Sequence, residues 1–536
     1  MGKNAFVNPY NFIPLAKTAP KRSNNKSGNL SGVIEFSLMT RTPLFIPNTS
    51  NDHALVKNNH EHKSYDFFSY DDLSPGKGNL NESGTRIGLY SEPVIPGSEV
   101  RGMLRSYYEI LTNSCMSFVD DEEVSKRINR KKEKYSNSVK DALKEHSPCE
   151  DKNNMCPACR LFGILGVSSR LRFADMRAEL PRSGEIGMMF HDDVTIKPLG
   201  TPKISAMEFY IKRPAKDARF WTYDYYGDSN GNIHDYTPEI NGRKFYWHHS
   251  EFKIEDSTID KKDRLNSTIR PIKSGLTFSG KIYFDHLTGK ELNELIYTVN
   301  AGDSGDILGK RHCYKLGHAK PLGYGSVALH VDNVSIRKIE ADDELGAITY
   351  GISEYEPDAP DFDKDILSDF RTMTDFEFLT GEKIQYPSVK GKEEIFHWFK
   401  QNINERTLIY RQYMKPLSKE LEYTGAPQKF RNNNANRNAP KNNQNKRDAF
   451  TGKKSFGNKT TSDEGGSYSK RSSGNEKIEV IIDNVLDDGT INFKVNGRTG
   501  RIYGAYMPSG EYRPGDKVIV KLYKKSRKYD VYSFVE

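Results

Sequence analysis

The chain has 536 residues, 35% of them hydrophobic and 28% charged, with a formal charge of +8 and a mean hydropathy of −0.74. That length accommodates two to four domains with sizeable cores, at roughly 100–200 residues for each. No run approaches the ~20 consecutive apolar residues of a membrane helix, and Met1-Gly-Lys-Asn-Ala-Phe6 has no apolar signal core; the expectation is a cytoplasmic protein with no membrane partner.

The charge is local. Residues 426–474 hold 11 Lys/Arg against three acids, which accounts for the whole +8. Such a stretch either attracts phosphate polyanions or keeps a linker solvated and extended. The cysteines are five, and Cys149, Cys156 and Cys159 fall within eleven residues. That clustering fits metal binding in a reducing compartment better than a disulfide framework.

Taken in chain order, Ile34, Phe36 and Leu38 alternate with Glu35 and Ser37, the period-2 pattern of a half-buried strand. Between Thr42-Pro-Leu-Phe-Ile46 and Ile95-Pro-Gly97 lies a polar stretch of nearly fifty residues, far longer than an ordinary connection. Ser98 is then placed to cap a helix whose apolar residues Val100, Met103, Leu104, Tyr107, Tyr108 and Leu111 share one face. Arg101 and Arg105 fall on the other face. A helix start beside a glycine turn, with two arginines near, suits an RNA backbone, although a plain cap with solvated arginines is the competing account.

Cys156-Pro-Ala-Cys159 is preceded by His146-x-x-Cys149, and four N/S ligands in two short pairs satisfy tetrahedral zinc. His146, Cys149, Cys156 and Cys159 are therefore the expected ligands of a structural zinc, with Cys115 in reserve; free loop thiols are the alternative. Tyr223, Tyr225, Tyr226, Phe245, Tyr246 and Trp247 fit base stacking and a buried insertion equally well.

Further on, Leu276 to Phe284 reads as a strand, Thr288 to Val299 as a helix and Ser326 to Ile336 as a strand. The Gly317 to Gly325 loop joins the helix to the last strand. Gly317, Gly323 and Gly325 let backbone amides approach phosphates, with His318 and Lys320 as charge partners, but a tight turn feeding a strand has the same composition. It is no Walker loop, because no Gly-Lys-Ser/Thr follows. Two βα units with long insertions predict an α+β, ferredoxin-like or RRM-like sheet over residues 1–340 with one helical face. Residues 341–425 read as a helical and mixed extension in which Phe396, Trp398 and Phe399 are core. Residues 426–475 have too few apolar groups to offset chain entropy and are expected as a disordered basic linker. Residues 476–536 break into five short alternating runs, Ile478–Ile482, Thr490–Val495, Arg501–Tyr503, Lys517–Leu522 and Tyr529–Tyr532, which predict a small all-β, OB-like barrel.

The order Thr42-Pro-Leu-Phe-Ile46, Ile95-Pro-Gly-Ser-x-x-Arg-Gly102, Cys156-Pro-Ala-Cys-Arg-Leu-Phe-Gly163, Leu171-Arg-Phe-Ala-Asp175 and Gly317 to Val327 resembles the RAMP superfamily of CRISPR-associated proteins. The likeness is strongest to the backbone-type proteins of type III systems, and covers roughly residues 8 to 340. It implies a modified RRM fold and binding to CRISPR RNA. The partners it implies are complementary target RNA and other CRISPR-associated proteins in an antiviral ribonucleoprotein. Cleaving members of the backbone group carry an acid in the loop after the Thr-Pro-Leu strand that assists metal-dependent attack on target RNA. Asp66 and Asp71 are the candidates here, with Asp52 and Asp72 also in the loop, and Mg would be the metal. Other members process precursor RNA without metal, a role His53, His60 and His62 would fill. The readings that follow are an RNA-binding scaffold, an endoribonuclease, and an adaptor that docks an effector through its C-terminal barrel.

Overall fold

The computed structural model describes residues 6–24, 28–48, 63–70, 92–116, 142–180, 186–196, 199, 207–254, 267–303, 305–342, 347–387, 398–399, 402, 411–424, 477–485, 491–502, 513–524 and 530–534. The chain divides into two units, Met1–Asn432 and Asn433–Glu536. Among the described residues no helix is long and apolar enough to cross a membrane.

The first unit is built on a sheet whose elements run β1 (Leu30–Thr40), β2 (Val94–Ile95), α1 (Gly97–Leu111), α2 (Pro157–Phe162), β3 (Leu171–Phe173), β4 (Met176–Ala178), β5 (Thr277–Leu287), α3 (Gly289–Asn300), β6 (Tyr314–Lys315), β7 (Ser326–Asp342) and β8 (Ala347–Glu354). The spatial order is β6-β7-β1-β5-β4-β2, with β8 on β7 and β3 also on β5. The first strand thus lies at the centre, antiparallel to β5 (Ile34 opposite Ile282) and to β7 (Ile34 opposite Val334). Alternation decides what each face meets: Ile34, Phe36 and Leu38 of β1 and Phe278, Ile282 and Phe284 of β5 are buried, while Lys281 and Tyr283 face out.

Helices α1 and α3 join the buried residues of the sheet in one core, to which α1 contributes all six residues of the predicted stripe, Val100, Met103, Leu104, Tyr107, Tyr108 and Leu111. The two helices are tied by the Tyr108 hydroxyl, which donates to Glu294 Oε2 at 2.8 Å. Helix α3 opens with a capping box: Thr288 accepts from the Glu291 amide and the Glu291 carboxylate accepts from the Thr288 amide. Helix α1 departs from the expectation, for its N-cap is Pro96 and Ser98 is its exposed second residue. The open amide of Gly97 is capped from outside the segment, by Asp175 Oδ1 at 2.7 Å.

The expected boundary at residue 340 falls inside a hairpin, because β7 continues to Asp342 and returns as β8 with Ser335 opposite Glu354. After it, α4 (Lys364–Thr374) is capped by Asp363, whose side chain accepts from the amides of Asp365 and Ile366. Its buried residues Phe370 and Met373 join the main core, so the extension belongs to the first unit. Trp398 is buried against Phe209 and Phe399, as expected of core, whereas Phe396 lies outside the described residues.

In the second unit β9 (Lys477–Val485), β10 (Ile491–Val495), β11 (Arg498–Ile502), β12 (Lys517–Lys524) and β13 (Asp530–Phe534) close a barrel in the order β9-β10-β11-β13-β12. Strands β11 and β13 are parallel and every other pair is antiparallel. Val480, Ile482, Ile491, Phe493, Ile502, Val518, Val520 and Tyr532 fill it. The third strand begins at Arg498 rather than the expected Arg501, because Asn496 and Gly497 both take positive φ (50° and 78°) and make a two-residue hairpin. The expected linker, 426–475, lies outside the described residues.

Candidate metal centre and nucleic-acid interface

Four cysteines converge behind α1. Cys115 follows the helix end, Cys149 follows a short 3₁₀ turn, and Cys156 and Cys159 flank the start of α2; their sulfurs all lie within 4.8 Å of one another. Cys115 Sγ is 3.5 Å from Cys159 Sγ and 3.7 Å from Cys156 Sγ. Tetrahedral zinc with ~2.3 Å bonds needs sulfur separations of about 3.8 Å, so the spacing fits a thiolate-bound ion. The backbone supports the same reading: the Cys156 amide points at Cys149 Sγ (3.3 Å) and the Cys115 amide at Cys156 Sγ (3.5 Å). Arg105 Nη2 approaches Cys159 Sγ at 3.7 Å, and Arg243 donates to the Cys115 carbonyl at 3.2 Å while pairing with Glu109. Amide dipoles and two guanidiniums offset the negative charge of gathered thiolates. Hydrogen bonding within the cluster, that from Cys115 first, draws the Cys149 thiol down to about 7 and the Cys156 thiol well below its ordinary value.

The expected ligand His146 is not one of the four. It is buried, burial first and the Arg243 charge second lower its pKa, and its Nε2 has no hydrogen-bond partner. Cys115, the reserve, takes the fourth place. His-x-x-Cys spacing pointed to the histidine, but the chain takes a 3₁₀ turn at Lys144–His146 and the ring nitrogens are not among the ligand atoms that gather within 4.8 Å.

Arg101 and Arg105 also differ from the expected solvated or RNA-facing arginines. Arg101 donates to the Phe162 carbonyl, and Arg105 to the Gly163 carbonyl at 3.0 Å and to Glu109 Oε1 at 3.0 Å. Both guanidiniums hold the last turn of α2, whose carbonyls want cations.

The Gly-rich loop packs along the Thr42 to Ile46 segment. The Gly325 amide donates to the Pro43 carbonyl (2.8 Å), the His318 amide to Phe45 (2.7 Å) and the Ser326 amide to Thr42 Oγ1 (2.9 Å). Gly323 and Leu322 amides close turns onto Lys320 and Ala319. These amides serve the fold, which corrects the expectation of a phosphate cradle made by the loop backbone. Gly317 and Gly325 have φ of 76° and 75°, and a Cβ on either would lie 2.4 Å from the Phe45 carbonyl or 2.0 Å from that of Leu316. His318 stays exposed and Lys320 half-exposed, and the Glu99 charge acts on Lys320, so this loop and the first turn of α1 with Ser98 are neighbours.

Asp66 is 1% exposed; Arg270 Nε donates to its Oδ1 at 3.0 Å and Nη2 to its Oδ2, and Oδ1 also takes the Phe67 amide. Both oxygens are engaged in a bidentate ion pair, the geometry of a structural carboxylate. Asp71 lies outside the described residues, as do Asp52, Asp72, His53, His60 and His62. The aromatic cluster is largely interior: Tyr223 and Trp247 are buried, Phe245 packs on Tyr107 and Tyr226 stacks on His234.

The face of the sheet turned away from the helices was missed by the sequence reading. There Tyr283, 45% exposed, stands opposite exposed Arg172, with Lys281 paired to Glu35 (2.6 Å) and Arg337 beside Asp285 (3.8 Å). The alternation of Ser279, Lys281 and Tyr283 along β5 was the available signal.

Residues 37–328, more than half of the chain and spanning β1 to the start of β7, match the family model described as the RAMP superfamily. The chain belongs to the RAMP superfamily. Among solved structures, one chain of a "Type IV-B CRISPR Complex" is 13% identical, covering 56% of this chain and 89% of that one at a TM-score of 0.24. A chain from the cryo-EM structure of Type III-B Cmr-beta bound to cognate target RNA is 14% identical, covering 57% and 61%, at a TM-score of 0.22. No curated protein matches. The RAMP match ends before β8, α4 and the barrel, which lie outside the matched segment.

Proposed function

We propose that this RAMP protein binds RNA as part of a CRISPR-type ribonucleoprotein, holding a CRISPR RNA guide through its backbone and leaving sequence choice to base pairing. The family match over residues 37–328 carries the reading, and the sheet within it supports it. With the short strands β2, β3 and β6, helix α2 and the returning strand β8 set aside, that sheet runs β1, α1, β4, β5, α3, β7 in chain order and β7-β1-β5-β4 in space, which fits a modified RRM-like or ferredoxin-like fold. In such a fold the face away from the helices meets RNA by stacking and charge, the work Tyr283, Arg172, Lys281 and Arg337 would do. Ser98, His318 and Lys320 form a second exposed polar edge at the start of α1.

Zinc on Cys115, Cys149, Cys156 and Cys159 would be structural: as a Lewis acid with four thiolates it leaves no open position, and it would clamp the end of α1 to α2. The barrel's order, with first, second, third, fifth and fourth strands adjacent in turn and the third parallel to the fifth, fits an OB-like module.

The test is purification with the native CRISPR array expressed alongside, sequencing of bound RNA, and incubation with complementary RNA with and without magnesium. Bound guides that leave the target intact are the expected result. Magnesium-dependent cuts would replace the scaffold by an endoribonuclease, and absence of guides would overturn RNA binding in favour of protein partners of the barrel.

A further inference from the structure

Helix α4 lies outside the RAMP match, yet it builds a basic pocket of about 460 Å³ against the segment preceding β6. Residues 364, 367, 368, 371 and 372 follow the helical repeat and share the outer stripe, opposite the buried Phe370 and Met373. That stripe presents Lys364, Ser368, Arg371 and Thr372, and Arg311 completes the rim. Lys364, Ser368 and Arg371 are exposed, and among the described residues neither Lys364 nor Arg371 has an ion-pair partner. Lys364 is the first helical residue, where a cation opposes the helix dipole and weakens the helix by a few tenths of a kcal/mol. Helix stability therefore does not explain it.

One lining residue, Asp375, is acidic, and its Oδ2 is held by Arg311 at 2.7 and 3.1 Å. It fixes that guanidinium at the rim. His312 at the back bonds Thr374 through Nδ1, and burial lowers its pKa. Leu367 supplies an aliphatic wall; Phe378 is covered by Trp247 and Lys419 and adds no free stacking face. The volume falls in the range of small-ligand sites, ~300–1,000 Å³, and exceeds what one inorganic phosphate fills.

We propose that this pocket binds a nucleotide of an RNA strand, its phosphate held by Lys364, Arg371 and Arg311 and its sugar or base against Leu367. This rests on the RNA-binding reading above and adds a contact beyond the family segment.

The experiment uses the full chain and two double variants: Lys364→Ala with Arg371→Ala, and, as a control of equal charge, Lys17→Ala with Lys216→Ala, both exposed. Each is titrated with a labelled single-stranded RNA of ~30 nucleotides at several salt concentrations, and separately with labelled AMP. Each phosphate contact contributes about 0.7 to the slope of log affinity against log salt. The pocket variant should be shallower than the control by about 0.7, so the control loses about 2.6-fold more affinity than it does between ~50 and ~200 mM salt. Equal slopes would overturn the strand contact. If AMP binding alone is lost in the pocket variant, the pocket takes a free nucleotide and the RNA strand is refuted as its source. A wild-type chain that binds no RNA sinks the RNA-binding reading, and the AMP titration then judges the pocket by itself.

Discussion

Cys115 and His146 differ in what surrounds them. The Cys115 sulfur lies 3.5 and 3.7 Å from two other sulfurs and has Arg105 and Arg243 nearby, whereas His146 Nε2 is buried and unpartnered. The purified chain should hold about one equivalent of zinc by plasma mass spectrometry. Losing a thiolate ligand should cost more than the ~10–100-fold in affinity that outer partners cost, so Cys115→Ser should release zinc to a mild chelator that leaves the wild type loaded. His146→Gln should retain the full equivalent. A loaded Cys115→Ser beside an empty His146→Gln would reverse the assignment. Spacing revealed Cys149, Cys156 and Cys159 because two short pairs are a local signal. Cys115 precedes Cys149 by 34 residues, and only the folding of α1 onto α2 brings it back.

Elements with strong periodicity were legible: β1, β5, α1, α3 and the start of β7 all fall where alternation or the helical repeat places them. What escaped was pairing at long range. The Gly-rich loop reads from composition as a phosphate cradle, but its amides meet Pro43 and Phe45, some 270–280 residues earlier in the chain. The glycines are required by close approach, which gives a graded expectation. At Gly231 φ is 88° and a Cβ would meet nothing within 4 Å, so Gly231→Ala costs only the backbone term, about 1–2 kcal/mol. Gly325→Ala adds a clash with the Leu316 carbonyl and should cost at least ~1 kcal/mol more in urea unfolding. Equal losses at the two sites would show that the loop yields freely and that its packing against Pro43 is loose. In the barrel the opposite holds: Asn496-Gly497 is a local hairpin signal that alternation alone does not carry.

Across the whole molecule, charge and fold are divided between the units. Residues 433–536 contain 20 Lys/Arg and 12 Asp/Glu, so the second unit carries the entire +8 and residues 1–432 are neutral overall. Sequence-independent attraction to RNA follows the number of phosphates neutralised, while a guide held in one register needs contacts fixed by a folded surface. The family segment, with its sheet face, lies wholly in the neutral unit. A chain ending at Asn432 should therefore keep its urea midpoint, because among the described residues the main core draws none from beyond that point. Its affinity for RNA of arbitrary sequence at low salt should fall at least ~10-fold, and the salt slope should shrink with it. Guide RNA co-purifying from cells that express the array should persist. If arbitrary RNA binds the truncated chain as tightly and as salt-sensitively as the full one, the basic segment is a solvated tether and the phosphate contacts belong to the first unit. If guides are lost with the second unit, the barrel takes part in holding them and the division between affinity and register fails.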